Sequence, residues 1–143
     1  MGMIQKLRSL RPSQLPMIPE AIWLTGWYRF RILRFPFSRL SPRIGTLGRE
    51  TSREAENVPK AMQVRQIVRA VSARMPWTCN CMVRALTMKK MLSRRGIPTT
   101  LYMGVAPDEK GGMEAHAWLR CGSRYISGEE EMDRFTVTGF YGE

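Results

Sequence analysis

The chain holds little with which to do acid–base or metal chemistry. Its 143 residues include a single histidine and three cysteines, and 12 acidic residues stand against 23 basic ones. One histidine leaves no choice of base in any imidazole-dependent reaction. Three cysteines, two of them only two residues apart, exclude a disulfide framework. Cys79, Cys81, His116 and Cys121 would be ligands enough for zinc, but C-x-C with a lone H-x4-C is not a standard zinc spacing, and no metal is expected. There is no glycine-rich phosphate loop, so no nucleotide cofactor is expected. No helix-turn-helix, zinc-finger or RNA-binding motif argues for nucleic acid. No run reaches the ~20 apolar residues that span a bilayer. The longest, residues 21–28, is cut short by Arg29, Arg31 and Arg34. The opening MGMIQKLRSLRP lacks the apolar stretch of a secretory signal, which predicts a cytoplasmic protein with reduced thiols.

What the chain does have is unevenly placed. Residues 1–76 hold 14 basic and 4 acidic side chains, and residues 77–143 hold 9 and 8. The basic half suits an acidic peptide or protein, an anionic membrane surface or nucleic acid. The apolar fraction of 43% is enough for one core. The division read from this is a basic helical extension over 1–57 and a core over 58–143.

The densest signal is residues 81–96, CMVRALTMKKMLSRRG. Its apolar residues cover most of a helical wheel, which predicts a helix buried at the centre of the domain. Thr78 and Asn80 can cap its start, and Arg94, Arg95, Gly96 and Pro98 mark its end. Upstream, Pro12 and Pro16 break up residues 1–16, read as a flexible arm. A helix is predicted from Pro19 to about Phe35. Its Trp23, Trp27 and Phe30, joined by Ile22 and Leu33, form a stripe expected to pack on its own domain; peripheral membrane contact is the lesser reading. Residues 37–47 are read as a turn or two of helix and 48–57 as a loop. Ala61, Val64, Val68, Val71 and Met75 recur at helical steps up to Pro76. After Gly96 the period changes. Residues 99–105, 113–120, 124–127 and 135–141 read as strands, with turns at PDEKGG and Gly122–Ser123 and an acidic loop at GEEEMD. The predicted class is α+β, an antiparallel sheet packed on the central helix.

A thiol peptidase needs a thiolate, an imidazole and donors for the oxyanion. A thiol at a helix N-terminus has its thiolate stabilised by the dipole and by free N–H groups. Cys81 opens the helix and is favoured over Cys79, which lies in the preceding turn. His116 is the only imidazole. The backbone N–H of Cys81 is the natural oxyanion donor. Trp77 and Asn80 are candidates for a second donor or for roofing the site, with Trp118, beside His116, as a further substrate-binding candidate. The residue that orients the imidazole should follow on the next strand, where Ser127, Gly128 and Glu129 stand.

A cysteine at a helix start and a histidine on a strand resemble papain-like and transglutaminase-like thiol enzymes. The resemblance sharpens over W-x-C-x-C-M-V-R-A-L-x-x-x-x-M-L-x-R-R-G-I-P at 77–98, L-Y-M-G-V at 101–105 and E-A-H-A-W-L-R at 114–120. These resemble the leader peptidases of lasso-peptide biosynthesis, small proteins with a transglutaminase-like cysteine-protease fold. The helix with Trp23 and Trp27 is similar to the N-terminal part of the stand-alone form. The resemblance implies Cys81 as nucleophile and His116 as its histidine. The family's aspartate falls on Gly128, a departure. Glu129 is ranked first to replace it, ahead of a backbone group, Ser127 or a simple dyad. The implied function is removal of the leader from a ribosomally made precursor peptide. The implied partners are a separate leader-binding protein and an ATP-dependent macrolactam cyclase, with Arg29, Arg31 and Arg34 suited to contact a partner or an acidic leader. The rival readings are acyl transfer by the same dyad and a non-enzymatic basic adaptor.

Overall fold

The computed structural model describes residues 14–35, 45–52, 54 and 56–142. Among these residues, three helices and five strands follow in the order α1 (Met17–Arg34), β1 (Thr46–Leu47), α2 (Val58–Ser72), α3 (Cys81–Ser93), β2 (Thr100–Pro107), β3 (Met113–Cys121), β4 (Arg124–Ser127) and β5 (Thr136–Gly142). A 3-10 turn at Met132–Arg134 precedes β5. The strands form one sheet in the order β1-β5-β2-β3-β4, antiparallel throughout. This is the α+β arrangement expected, with helices on one face of an antiparallel sheet.

Strand alternation separates the two faces. Leu101, Ala117, Leu119, Cys121 and Ile126 join Val64, Val68, Leu86, Met88 and Leu92 of the helices in the main core. Tyr102, Trp118 and Phe135 gather on the other face, with Phe140 and Tyr125 packed against them. Helix α3 crosses β3, β4 and β2 and touches both other helices, so it lies at the centre, as its wide apolar face predicts. It is also tied down by polar contacts. The buried Lys89 donates from Nζ to the Thr99 carbonyl at 2.8 Å. Glu20 of α1 pairs with Arg94 and Arg95 at its C-terminal end, at 3.1 and 2.8 Å.

Two expectations need correction. The Trp23, Trp27, Phe30 and Leu33 stripe faces solvent, with Trp23 67% exposed. The core takes the opposite side of α1 instead, through Met17, Ala21, Leu24 and Thr25. Those residues recur at the same helical spacing, and their smaller side chains let α1 lie close to α2 and α3. The second correction concerns residues 37–47. Thr46 and Leu47 are an edge strand paired with Gly142 and Tyr141, not helix. Residues 37–44 of that segment, and residues 1–13 of the arm expected over 1–16, lie outside the described residues; residues 14–16 form a turn that leads into α1, with Gln14 buried. Among the described residues no helix is long and apolar enough to cross a membrane.

Candidate active site

Helix α3 starts where the sequence predicts, because Asn80 caps it. Asn80 is extended (φ −75°, ψ −177°), and its Oδ1 accepts from the N–H of Val83 at 3.0 Å. That bond satisfies one of the orphan donors of the first turn and leaves the N–H groups of Cys81 and Met82 beyond any intrahelical partner. Cys81 is half-buried at this positive end. Replacing Asn80 with alanine should cost about 1 kcal/mol, read as a lower thermal midpoint. An unchanged midpoint would mean that packing, not the cap, fixes where α3 begins.

The other two thiols are placed differently. Cys79 lies in the turn before the helix, with Sγ 3.9 Å from the Trp77 carbonyl. Cys121 is buried in the main core, and burial pushes its thiol up, against a smaller opposing effect of Arg120. A thiol held protonated in an apolar core is a poor nucleophile.

His116 sits on β3 opposite Gly104 of β2. Its ring stacks on Phe135 at 4.9 Å and on Trp118 at 5.8 Å. Nε2 lies 2.8 Å from the backbone carbonyl of Gly128. A carbonyl oxygen only accepts, so Nε2 carries the proton and donates. In the neutral imidazole this leaves the lone pair on Nδ1, the atom that would take a proton from a thiol or water. The carbonyl can point there because Gly128 has φ +75°, which favours glycine, and because a Cβ would collide with the Ala117 carbonyl and stand 3.1 Å from His116 Nε2.

The cysteine and histidine therefore lie on packed elements, α3 and β3. Among the described residues no hydrogen bond joins them. His116 belongs to the Trp118 face of β3, while Ala117 and Leu119 face the helices. Strand β4 pairs with β3 only from Leu119 to Cys121, so it leaves the edge of β3 at His116 unpaired. A substrate carbonyl bridging the helix start and the imidazole would enter over that edge.

The family model described as the transglutaminase-like superfamily matches residues 24–139, from α1 to β5. The chain belongs to the transglutaminase-like superfamily. No curated protein and no solved structure gave a match. The transglutaminase-like superfamily includes cysteine peptidases and acyltransferases, and cysteine-based catalysis is typical of it.

Several residues singled out in this transglutaminase-like chain are occupied otherwise. Glu129, expected to orient His116, turns to α2 and forms an ion pair through Oε1 with Arg65. Arg65 also donates to the Ile126 carbonyl at 2.9 Å. The guanidinium draws the carboxylate away, and the Gly128 carbonyl stands where the carboxylate was expected. Trp77, a candidate oxyanion donor, spends its indole N–H on Thr25 Oγ1 at 3.2 Å. Asn80 uses its amide oxygen as the helix cap. Trp118 is 4% exposed and stacks on Tyr102 at 6.0 Å as well as on His116, so it walls the imidazole rather than meeting solvent. Arg31 stacks on Trp27 and Phe35, and Arg34 on Phe30, at 5.1–5.9 Å; Arg29 is half-buried. Sequence reasoning missed Phe135 as a ring on His116 and Arg65 as the partner of Glu129. The only hint of either was the aromatic that opens the FTVTGFY run. Among the described residues no three of His, Cys, Asp and Glu come together as a metal site.

Proposed function

We propose that this protein is a cysteine peptidase that removes the leader from a ribosomally made lasso precursor peptide. The observation that carries the reading is the placement of Cys81 at the capped start of α3, with the only imidazole on the strand layer that α3 crosses and its Nε2 anchored. The likeness of residues 77–98, 101–105 and 114–120 to lasso leader peptidases supports the choice of substrate.

In this reading the imidazole and the helix start meet over the unpaired edge of β3, where Cys81 gives its proton to Nδ1 of His116 and the thiolate attacks the carbonyl carbon at the leader–core junction. The first-turn N–H of Cys81 donates to the oxyanion. The C–N bond breaks, the imidazolium protonates the leaving amine, and a thioester to Cys81 remains. Water then gives a proton to Nδ1 and attacks the thioester, which frees the leader acid and restores the thiol. The released core amine is the nucleophile that a separate ATP-dependent macrolactam cyclase needs. ATP acts in that partner and not here. A separate leader-binding protein presents the precursor. The outward-facing aromatics of α1, with Arg29, Arg31 and Arg34, supply the face that meets this partner or an acidic leader. The setting is the cytoplasm.

The test is mass spectrometry of the precursor incubated with this protein and the leader-binding protein. Leader and core that together gain one water are expected. A leader amide formed with an added amine would make the chain an acyltransferase. An intact precursor, with binding of the partner confirmed, would leave a non-enzymatic adaptor.

A further inference from the structure

Nothing in the reaction itself explains what holds the turn that delivers Cys81. Residues 73–80 link α2 to α3 without helix or strand. Met75 packs against the main core, and their one aromatic side chain, Trp77, reaches back to α1. Its Nε1–H donates to Thr25 Oγ1 at 3.2 Å. Thr25 is fully buried, and its own hydroxyl donates to the Ile22 carbonyl at 3.0 Å, which turns a lone pair toward the indole. The next residue is Gly26, in the middle of an 18-residue helix. Glycine weakens a helix interior, so its place there needs a packing reason. The reason is the indole, because a Cβ on Gly26 would stand 3.2 Å from Trp77 Cζ2 and 3.5 Å from its neighbours. Donor, acceptor and gap belong to one latch, built from residues some fifty positions apart in the chain.

We propose that Trp77 is a positioning residue for the nucleophile. Helix α1 holds the indole through Thr25 and Gly26, and the indole fixes the turn that sets Cys81 Sγ and the free N–H groups of the α3 start. Helix α1 is then part of the catalytic apparatus and not only a face for partners. The inference rests on the peptidase reading only for its turnover readout.

The decisive variant is Gly26→Ala in the full chain, because it separates stability from position. Alanine raises helix propensity while its methyl presses on the indole. Three quantities are measured: the thermal midpoint, kcat and KM for precursor cleavage, and the rate at which iodoacetamide alkylates Cys81, resolved from Cys79 by peptide mass spectrometry. The midpoint should stay at or above wild type. The Cys81 alkylation rate and kcat should fall about tenfold or more, because a displacement well under an ångström is felt at a reacting atom, while KM holds. Trp77→Phe, which keeps a ring and loses the N–H, should fall likewise, and Thr25→Ser, which keeps the hydroxyl, should match wild type. Wild-type kcat and alkylation in both Gly26→Ala and Trp77→Phe would overturn the proposal. So would losses that merely follow the fraction unfolded. A slowed Cys81 alkylation in a protein that cleaves no precursor would uphold the latch and remove the peptidase reading.

Discussion

Cys81→Ala and His116→Ala are each expected to abolish precursor cleavage, with losses of at least about a thousandfold. Cys79→Ala should stay within a few-fold of wild type. The double variant should be little worse than either single one, because a nucleophile without its base, or a base without its nucleophile, leaves the same residual binding. Only Cys81 among the three thiols combines a helix start with partial exposure. Cleavage that survived Cys81→Ala would move the nucleophile elsewhere. Cleavage lost only in Cys79→Ala would transfer the role to the turn.

The same assay decides what orients the imidazole. Glu129→Gln should leave cleavage within a few-fold, because its carboxylate is engaged with Arg65 and not with His116. Gly128→Asp should lose at least about a hundredfold. That substitution puts a carboxylate where the sequence reading expects one, so a gain would be the naive expectation. The backbone forbids it. At φ +75° any Cβ collides with the Ala117 carbonyl and crowds His116 Nε2 at 3.1 Å, so the turn must move and take its own carbonyl with it. A folded Glu129→Gln that failed to cleave would return the orienting role to Glu129. A fully active Gly128→Asp would show that the carbonyl contact is dispensable.

The contrast between Gly128 and Glu129 shows what was legible in the chain. Helix α3 could be read closely because its apolar width, its cap and its glycine stop agree. The strands after Gly96 were legible from β-branched and aromatic alternation, and every one of them pairs in the sheet. An orienting carbonyl carries no side-chain signature, so residue types pointed to the nearest acid, Glu129. The buried face of helix α1 was misread for another reason. The helix has apolar residues at helical spacing on two sides, Met17–Ala21–Leu24 and Trp23–Trp27–Phe30, and periodicity cannot choose between them. Close packing chose the smaller set, which seats α1 near the other helices and leaves the aromatics outside. The two-residue β1 is too short to show a period, and it exists because β5 offers an edge. The Trp77 latch depends on contact across 52 positions, which no local pattern contains.

Arg120→Met is expected to lower stability by about 3–5 kcal/mol, because it leaves several buried acceptors unsatisfied at about 1–3 kcal/mol each, partly offset by relaxation and water. Arg120 is wholly buried on the aromatic face of the sheet. Its Nε donates to Tyr102 Oη at 3.1 Å. Nη1 donates to the carbonyls of Gly122 and Ser52, and Nη2 to the Thr51 carbonyl and Thr100 Oγ1, at 2.6–3.3 Å. Thr51 in turn donates its own N–H to Thr100 Oγ1 at 2.9 Å. One guanidinium thus fastens the irregular segment around residues 51 and 52 to β2 and to the β3–β4 turn. Methionine fills much of the volume and satisfies none of these acceptors. The Glu50 carboxylate, 3.9 Å away and largely exposed, adds little, so the cost comes from the carbonyls and not from an ion pair. At roughly 3 °C per kcal/mol for a chain of this size, the thermal midpoint should drop by about 10 °C. Arg120→Lys should recover only part of that, because an ammonium cannot reach five acceptors in a fork. A midpoint within about 2 °C of wild type would mean that water replaces the guanidinium and that the segment is held by its other contacts. The site should feel the change through one chain of contacts, since Tyr102 stacks on Trp118 and Trp118 on His116. Cleavage by the folded fraction should therefore fall only a few-fold, because Phe135 and the Gly128 carbonyl still hold the imidazole when Tyr102 loses its donor.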